Sequence, residues 1–411
     1  MNDTKKSNFL SADEALALLL AQAAPPERIE MIATESALGR ILAAPQVSTV
    51  DVPPLDNSAM DGYAVRTADM SPPSPRLRVA QRIPAGSIGR PLEPGTAARI
   101  FTGAPIPPQC GAVVMQENCV AEGEYVTIGK IPRDGENIRR AGEDIHAGAE
   151  ILAAGIKLRP QEMGLAASAG LARLPVFRKL RVATFFTGDE IVMPGQSLQP
   201  GQIYNSNRFV LSGFLTGMGC EVIDLGIVPD DLAATIGVLQ QAAVQADLIV
   251  TSGGVSVGEE DHVKAAVEQT GKLDMWRIAV KPGKPLAFGN AAGTPFIGLP
   301  GNPVSAFVTF CLFVRPFILR RQGVSRVAPP HYPLRAGFEW SKPDGKRREF
   351  LRARLACGED GDIAVQLYPH QGSGVLTSCT WSDGLVQVEK GCSISPGETV
   401  KFIPFSGLFC S

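Results

Sequence analysis

Short glycine-rich and charged runs stand directly after apolar runs at several points of this sequence, and their residue types suit anion chemistry. The run Asp247–Thr251 leads into Ser252, Gly253, Gly254, Ser256 and Gly258, followed by Glu259, Glu260 and Asp261. Glycines let the backbone approach an anion closely, and a following helix start offers free N–H groups and a positive dipole end. A tight strand-to-helix turn accounts for the same glycines. The adjoining carboxylates suit a phosphate cradle if a divalent cation bridges them, because Mg²⁺ takes one or two carboxylates together with phosphate oxygens and waters. Asp189, Glu190, Asp230 and Asp231 stand at other strand ends and could join that group. Helix capping or solvation explains any one of them alone.

Lys281 and Lys284 lie in a proline-stiffened loop, where they can meet phosphate or an oxyanion as point charges; a solvated pair is the plainer alternative. Pro300, Gly301, Asn302 and Pro303 open a long apolar helix, with Asn302 as N-cap and Pro303 at the first helical position. The stretch from Asp56 to Tyr63 packs two acids, an amide and a hydroxyl into one loop, a density that serves either a site or a well-bonded turn. Arg139 and Arg140 sit among Glu136, Glu143 and Asp144, so that loop is a salt-bridged surface or an arginine clamp.

Several chemistries are disfavoured. There are four histidines, none in an H-E-x-x-H arrangement or beside a nucleophile. Eight cysteines are scattered without a C-x-x-C pair, which points to reduced thiols and to no zinc site. With 39 basic and 41 acidic side chains the net charge is −2, without the basic excess of a nucleic-acid binder. No signal-like segment follows the N-terminus, and Arg315 and Pro316 interrupt the most apolar run, Ala306–Leu319. These features point to a cytoplasmic protein without membrane or nucleic-acid partners.

The elements that must carry these residues change character along the chain. Ser11 and Glu14 form a capping box for a first helix, and a short helical piece is expected at Glu35–Leu42. Candidate strands Val79–Ile83, Ala97–Phe101, Ala112–Gln116 and Tyr125–Ile128 give a small β module, and Pro160–Ser168 a helix. From residue 180, strands and helices alternate up to the apolar helix, which argues an open, largely parallel α/β sheet. Ligands of such sheets bind at the carboxyl ends of the strands, where the motifs lie. After residue 330, short strands separated by turns predict a small β-barrel or sandwich.

The segments DNSAMDGYAV (Asp56–Val65), FTGAP (Phe101–Pro105), AVVMQE (Ala112–Glu117), NIRRAGEDI (Asn137–Ile145), TGDE (Thr187–Glu190), SGGVSVGEED (Ser252–Asp261), KPGKP (Lys281–Pro285) and LPGNPVS (Leu299–Ser305) resemble the MoeA family in order and spacing. The likeness extends to Arg348–Arg352 and Gly372–Gly374, and the gephyrin E domain belongs to the same family. The resemblance implies a multidomain α/β plus β protein. Its parts would be a discontinuous linker domain at 1–50 and 142–179, a small β domain at 51–141, a MogA-like open α/β three-layer domain at 180–329, and a C-terminal β-barrel at 330–411. It implies a homodimer whose site combines the α/β domain of one subunit with the β module of the other. The implied reaction inserts molybdate into adenylylated molybdopterin and releases AMP, assisted by Mg²⁺ or another divalent cation.

By motif match, the resemblance implies catalytic roles for Asp61, Thr102, Arg139, Glu190, Lys281, Lys284 and Ser373. Ser252, Gly253, Gly254, Ser256, Gly258, Pro300, Gly301, Asn302 and Pro303 would bind substrate, and Asp231, Asp261 and Glu190 the metal. A MogA-like adenylyltransferase and molybdoenzyme-maturation proteins are the implied partners. Phe186 and Asn205 depart from the family pattern, where Ser and Asp are common. The alternatives are a MogA-like adenylyltransferase, a paralogue specialised for tungsten, and a scaffold; the modules before 180 and after 330 argue against the first.

Overall fold

Strand Arg181–Thr187 is buried at nearly every position, as expected for a central parallel strand covered on both faces. The computed structural model, which describes residues 9–71, 73–254, 262–283, 285–358 and 361–409, places it in a seven-stranded sheet. The order is Phe9–Leu10, Gly271–Ile278, Pro285–Ala291, Thr294–Leu299, Leu248–Ser252, Arg181–Thr187, Glu221–Val228. The last four run parallel. Gly271–Ile278, Pro285–Ala291 and Thr294–Leu299 form an antiparallel meander instead. Short connections explain it: Ala292 and Gly293 close a two-residue hairpin with φ of 49° and 88°, too short for a parallel crossover.

Alternation along Arg181–Thr187 divides the core. Val182 and Phe186 face the helices Ala12–Ala21, Ser206–Gly217 and Pro303–Thr309. Ala183 and Phe185 face Leu232–Gln245 and His262–Thr270. Three layers result. The first helix begins as expected: Glu14 N donates to Ser11 Oγ at 3.2 Å, and Ser11 N to Glu14 Oε2 at 2.9 Å. It packs into the α/β core, whereas Ile29–Ala33 pairs with Arg173–Phe177, and Gln46–Val47 with Glu150–Leu152.

The apolar helix continues through Arg315 and Pro316. A π-helical turn, Phe310–Val314, precedes Pro316 and absorbs the carbonyl that the missing N–H leaves unpaired. Arg315, though buried, donates to the carbonyls of Leu408, Val327 and Gly407 at 2.7, 3.0 and 3.0 Å. Among the described residues this is the one helix long and apolar enough to cross a membrane, and most of it lies inside the core.

The β module is a six-stranded sheet: Ala112–Met115, Gly62–Val65, Thr96–Ile100, Arg76–Ile83, Tyr125–Ile128, Cys119–Glu122. Gly62–Val65, hidden in the polar loop of the sequence, is an inner strand. A Cβ on Gly62 would lie 2.0 Å from Val114 O, so only glycine fits beside Asp61. The helix expected at Glu35–Leu42 is instead a single 3-10 turn, Thr34–Ser36, followed by bridges at Ile41 and Leu42. The C-terminal strands Tyr332–Ala336, Arg348–Cys357, Ile363–Leu367, Gly384–Val388 and Thr399–Pro404 close into a barrel. Arg348–Cys357 pairs with both Ile363–Leu367 and Gly384–Val388, which removes the sheet edge.

The seven described cysteines are free. Burial pushes the thiols of Cys110 and Cys119 up to about 11 and that of Cys220 to about 12, whereas Cys357 and Cys392 are exposed. Among the described cysteines, iodoacetamide at pH 8 should therefore label Cys357 and Cys392 first, because the thiolate is the nucleophile and these two are accessible. Peptide mapping checks this; equal labelling of Cys220 in the native protein would contradict the burial.

Candidate functional site

At the carboxyl ends of Arg181–Thr187, Leu248–Ser252 and Thr294–Leu299 lies a cleft of about 650 Å³. A larger hollow, about 1060 Å³, opens between the start of helix Ala12–Ala21 and the barrel loop Asp344–Arg348. It has none of the strand-end glycines, so the smaller cleft is the better candidate for chemistry.

Two glycine loops make the cleft floor. Gly253 and Gly254 have φ of 94° and 63°. A Cβ on Gly254 would meet Val263 Cγ2 at 2.6 Å and Thr187 Oγ1 at 2.9 Å. Gly301 lies beside Gly253, where an added Cβ would make an ordinary contact of 3.8 Å with the Gly253 Cα. Ser252 stitches the loops together: its Oγ donates to Pro300 O at 2.8 Å and accepts from Asn207 Nδ2 at 2.8 Å. Asn207 also donates to Gly301 O at 2.7 Å. Pro303 opens its helix as expected, but Asn302 at the N-cap position makes no side-chain cap bond. The Val304 N–H donates instead to Ser373 O at 2.9 Å, so the barrel supplies the cap and brings Ser373 into the cleft.

Arg352 fixes that barrel loop. It is fully buried, and burial pushes its guanidinium down to about 10. It donates to Ser378 Oγ at 3.0 Å and Gly372 O at 3.1 Å, while its own N–H reaches Gln371 Oε1 at 2.9 Å.

Among the described residues, two carboxylates line the cleft, Glu190 and Asp230. Glu190 folds back over Gly188, where a Cβ would lie 2.5 Å from its Oε2. Asp231, expected as a metal ligand, does not line the cleft; its Oδ1 accepts from Ala234 N at 2.9 Å and caps helix Leu232–Gln245. Among the described residues, no group of three or more acidic, histidine or cysteine side chains is arranged to hold a metal. Lys281 stands on the rim, 2.9 Å from Glu349. Ser256, Gly258, Asp261 and Lys284 lie outside the described residues.

The remaining expected residues, Asp61, Thr102 and Arg139, lie on and beside the β module, where Asp61 and Thr102 are in contact. Thr102 donates to Asp61 Oδ1 through its N–H at 2.8 Å and its hydroxyl at 2.7 Å. The backbone donor first, then the hydroxyl, holds the Asp61 carboxyl below the usual carboxylate range. Arg139 pairs with Asn57 in a short antiparallel ladder, and the neighbouring Arg140 meets Asp56 at 2.6 Å. None of Asp61, Thr102 and Arg139 lines the cleft.

Residues 10–170 match the MoeA N-terminal region (domain I and II), 183–320 a probable molybdopterin binding domain, and 334–405 the MoeA C-terminal region (domain IV). The molybdopterin molybdenumtransferase of Haemophilus influenzae is 42% identical over 405 residues, covering 97% of this chain and 100% of that protein. The chain belongs to the MoeA family. Molybdopterin molybdenumtransferase 2 of Mycobacterium tuberculosis is 41% identical over 330 residues, 78% of this chain and 81% of its own. The molybdopterin biosynthesis MoeA protein of Pyrococcus horikoshii OT3 superposes with a TM-score of 0.83 at 28% identity, covering 96% of this chain and all of that one.

Of the two departures from the MoeA pattern, Phe186 is accommodated in the core, whereas Asn205 is satisfied at Oδ1 only and its Nδ2 is buried without a partner. Asn205 caps helix Ser206–Gly217 by accepting from Arg208 N at 3.1 Å, a bond that an aspartate would also make. Phe186 is core. Sequence reading missed Asn207, Arg347, Glu349 and Gln371. Asn207, Arg347 and Gln371 carried no motif, and Glu349 stands within Arg348–Arg352, where the likeness to the family assigns it no role.

Proposed function

We propose that this member of the MoeA family inserts molybdenum into molybdopterin, taking adenylylated molybdopterin and molybdate and releasing AMP. The observation that carries the reading is the pair of apposed glycine loops, with Lys281, Glu190 and Asp230 around them. Their backbone suits a phosphate, and the helix starting at Pro303 directs its positive end there. Lys281 would attract molybdate as a point charge. Glu190 and Asp230 are hard oxygen donors of the kind Mg²⁺ takes and would hold it in the cleft. Bound there, that ion would neutralise charge on the phosphoryl oxygens as the pyrophosphate link breaks.

Asp61, with Thr102 and Arg139, would orient or protonate the pterin end, and it would reach the cleft of a second copy. That dimer is supported by the absence of the three from the cleft of their own chain. We place the enzyme in the cytoplasm, downstream of a MogA-like adenylyltransferase and upstream of the proteins that mature molybdoenzymes.

The purified protein, given adenylylated molybdopterin, Mg²⁺ and molybdate, should release AMP in step with cofactor formation. A parallel series with tungstate identifies a tungsten paralogue. Pyrophosphate release from ATP and molybdopterin, without AMP release from the adenylylated substrate, would refute the reading.

A further inference from the structure

Glu349 is a carboxylate with 1% exposure in a protein whose cleft is built for anions. Burying an ionised group is costly unless charge and hydrogen bonds compensate. Here both do. Glu349 Oε1 lies 2.9 Å from Lys281 Nζ, and the lysine side chain is 42% exposed on the rim. Glu349 Oε2 accepts from Trp340 Nε1 at 3.0 Å and from the Asp344 N–H at 2.9 Å. The backbones meet as well: Val280–Lys281 adds in parallel to the barrel strand, with Lys281 in register with Glu349. The barrel thus reaches into the α/β cleft through one residue.

The same carboxylate acts on a second cation. By fixing the Asp344 N–H it fixes the turn that follows. The Asp344 carboxylate accepts from the Lys346 and Arg347 N–H groups at 2.9 and 3.0 Å. It also grips the Arg347 guanidinium, through Nε at 2.9 Å and Nη2 at 2.7 Å. Arg347 lines the cleft beside Lys281 and Ser373. Two cations on the rim are therefore held by one buried acid, Lys281 directly and Arg347 through Asp344.

We propose that Glu349 is a positioning residue for oxyanion binding, holding Lys281 and Arg347 at the cleft rim in the geometry that meets the anion. This rests on the reading of Lys281 given above. Its consequence is a reversal of sign. Removing a negative charge beside an anion site should tighten anion binding by Coulomb's law alone. If Glu349 acts by positioning, its removal weakens binding instead, because two long side chains lose the contacts that order them.

The test is calorimetric titration of the full-length protein with molybdate. The variants are Glu349→Gln, Glu349→Asp, Lys281→Ala and the double variant Lys281→Ala/Glu349→Gln, each with a melting curve. Glu349→Gln should weaken binding at least ~5-fold, and the double variant should be much less than the product of the two singles, as for residues acting through one contact. Glu349→Asp keeps the charge but is one methylene short, so it should lie between parent and Glu349→Gln. Tighter or unchanged binding by Glu349→Gln, with Lys281→Ala weakened, overturns the proposal and leaves the lysine reading intact. Parental binding by Lys281→Ala would bring down that reading and this inference together. Should Glu349→Gln fail to fold, Glu349→Asp decides: weaker binding at parental melting temperature supports positioning, and parental binding overturns it.

Discussion

Arg352→Ala should lower the unfolding free energy by about 2–5 kcal/mol, the range for truncating a large buried side chain and leaving its acceptors unpaired. Arg352 is among the largest fully buried side chains, and its guanidinium donates to Ser378 Oγ and to the Gly372 carbonyl. Truncation leaves those acceptors without their donor and opens a cavity beside Cys379. Each unsatisfied buried acceptor costs about 1–3 kcal/mol. Burial lowers the pKa to about 10, so the group stays charged at neutral pH. The folded-state pKa lies below the unfolded one. Charging Arg352 therefore opposes folding at neutral pH, and this opposition fades only as pH rises above about 10. Arg352→Lys keeps a charge but not the fork of donors, so it should fall between parent and alanine variant. Urea denaturation of the three proteins checks the order. A midpoint unchanged in Arg352→Ala would mean the site relaxes without cost. Because Gly372 leads into Ser373, whose carbonyl caps the helix at Val304, activity should fall further than stability alone predicts.

The arrangement that makes Arg352 costly to lose was the least legible part of the sequence. Charged residues in alternating strands read as the solvated face, yet Glu349 and Arg352 lie inside because the barrel docks against the α/β cleft. Local pattern carries no signal for a surface that becomes interior only on docking. The central strands were legible for the opposite reason. Burial on both faces writes a run rich in apolar and β-branched residues, as at 182–186 within Arg181–Thr187, and no docking partner changes that. The capping box at Ser11 and Glu14 was legible because it is wholly local. The reversed strand Pro285–Ala291 left no mark in a sheet read as largely parallel, because strand direction depends on connection length rather than strand composition. In the cleft, the glycines announced themselves. The choice between Asp230 and Asp231 did not, since adjacent aspartates differ only in which one the helix start consumes.

Two inactive variants should restore one another if the site is shared between subunits. Asp61 belongs to the β module and Glu190 to the cleft, and no residue of the Asp61 cluster lines the cleft of its own chain. In a two-fold dimer each site would take its cleft from one subunit and its β module from the other. Asp61→Asn and Glu190→Gln should each lose at least ~10-fold in AMP release, a barrier change of about 1.4 kcal/mol. Asp61→Asn should keep its adenylylated substrate bound, because the exposed Asp61 carboxylate, held by Thr102, would serve the pterin end whereas the glycine loops hold the phosphate. When the two proteins are dissociated and reassembled together, half of the dimers should be mixed. A mixed dimer has one site carrying both substitutions and one carrying neither. Random pairing should then restore about a quarter of parental turnover, with mixing of a two-fold symmetric dimer as the only assumption. Sedimentation must show roughly twice the 43.5 kDa chain mass for the argument to apply. Dimers that mix without any recovery would place Asp61 and Glu190 in the same subunit's site, or in different functions. Full single-variant activity in a monomer would exclude the shared site outright.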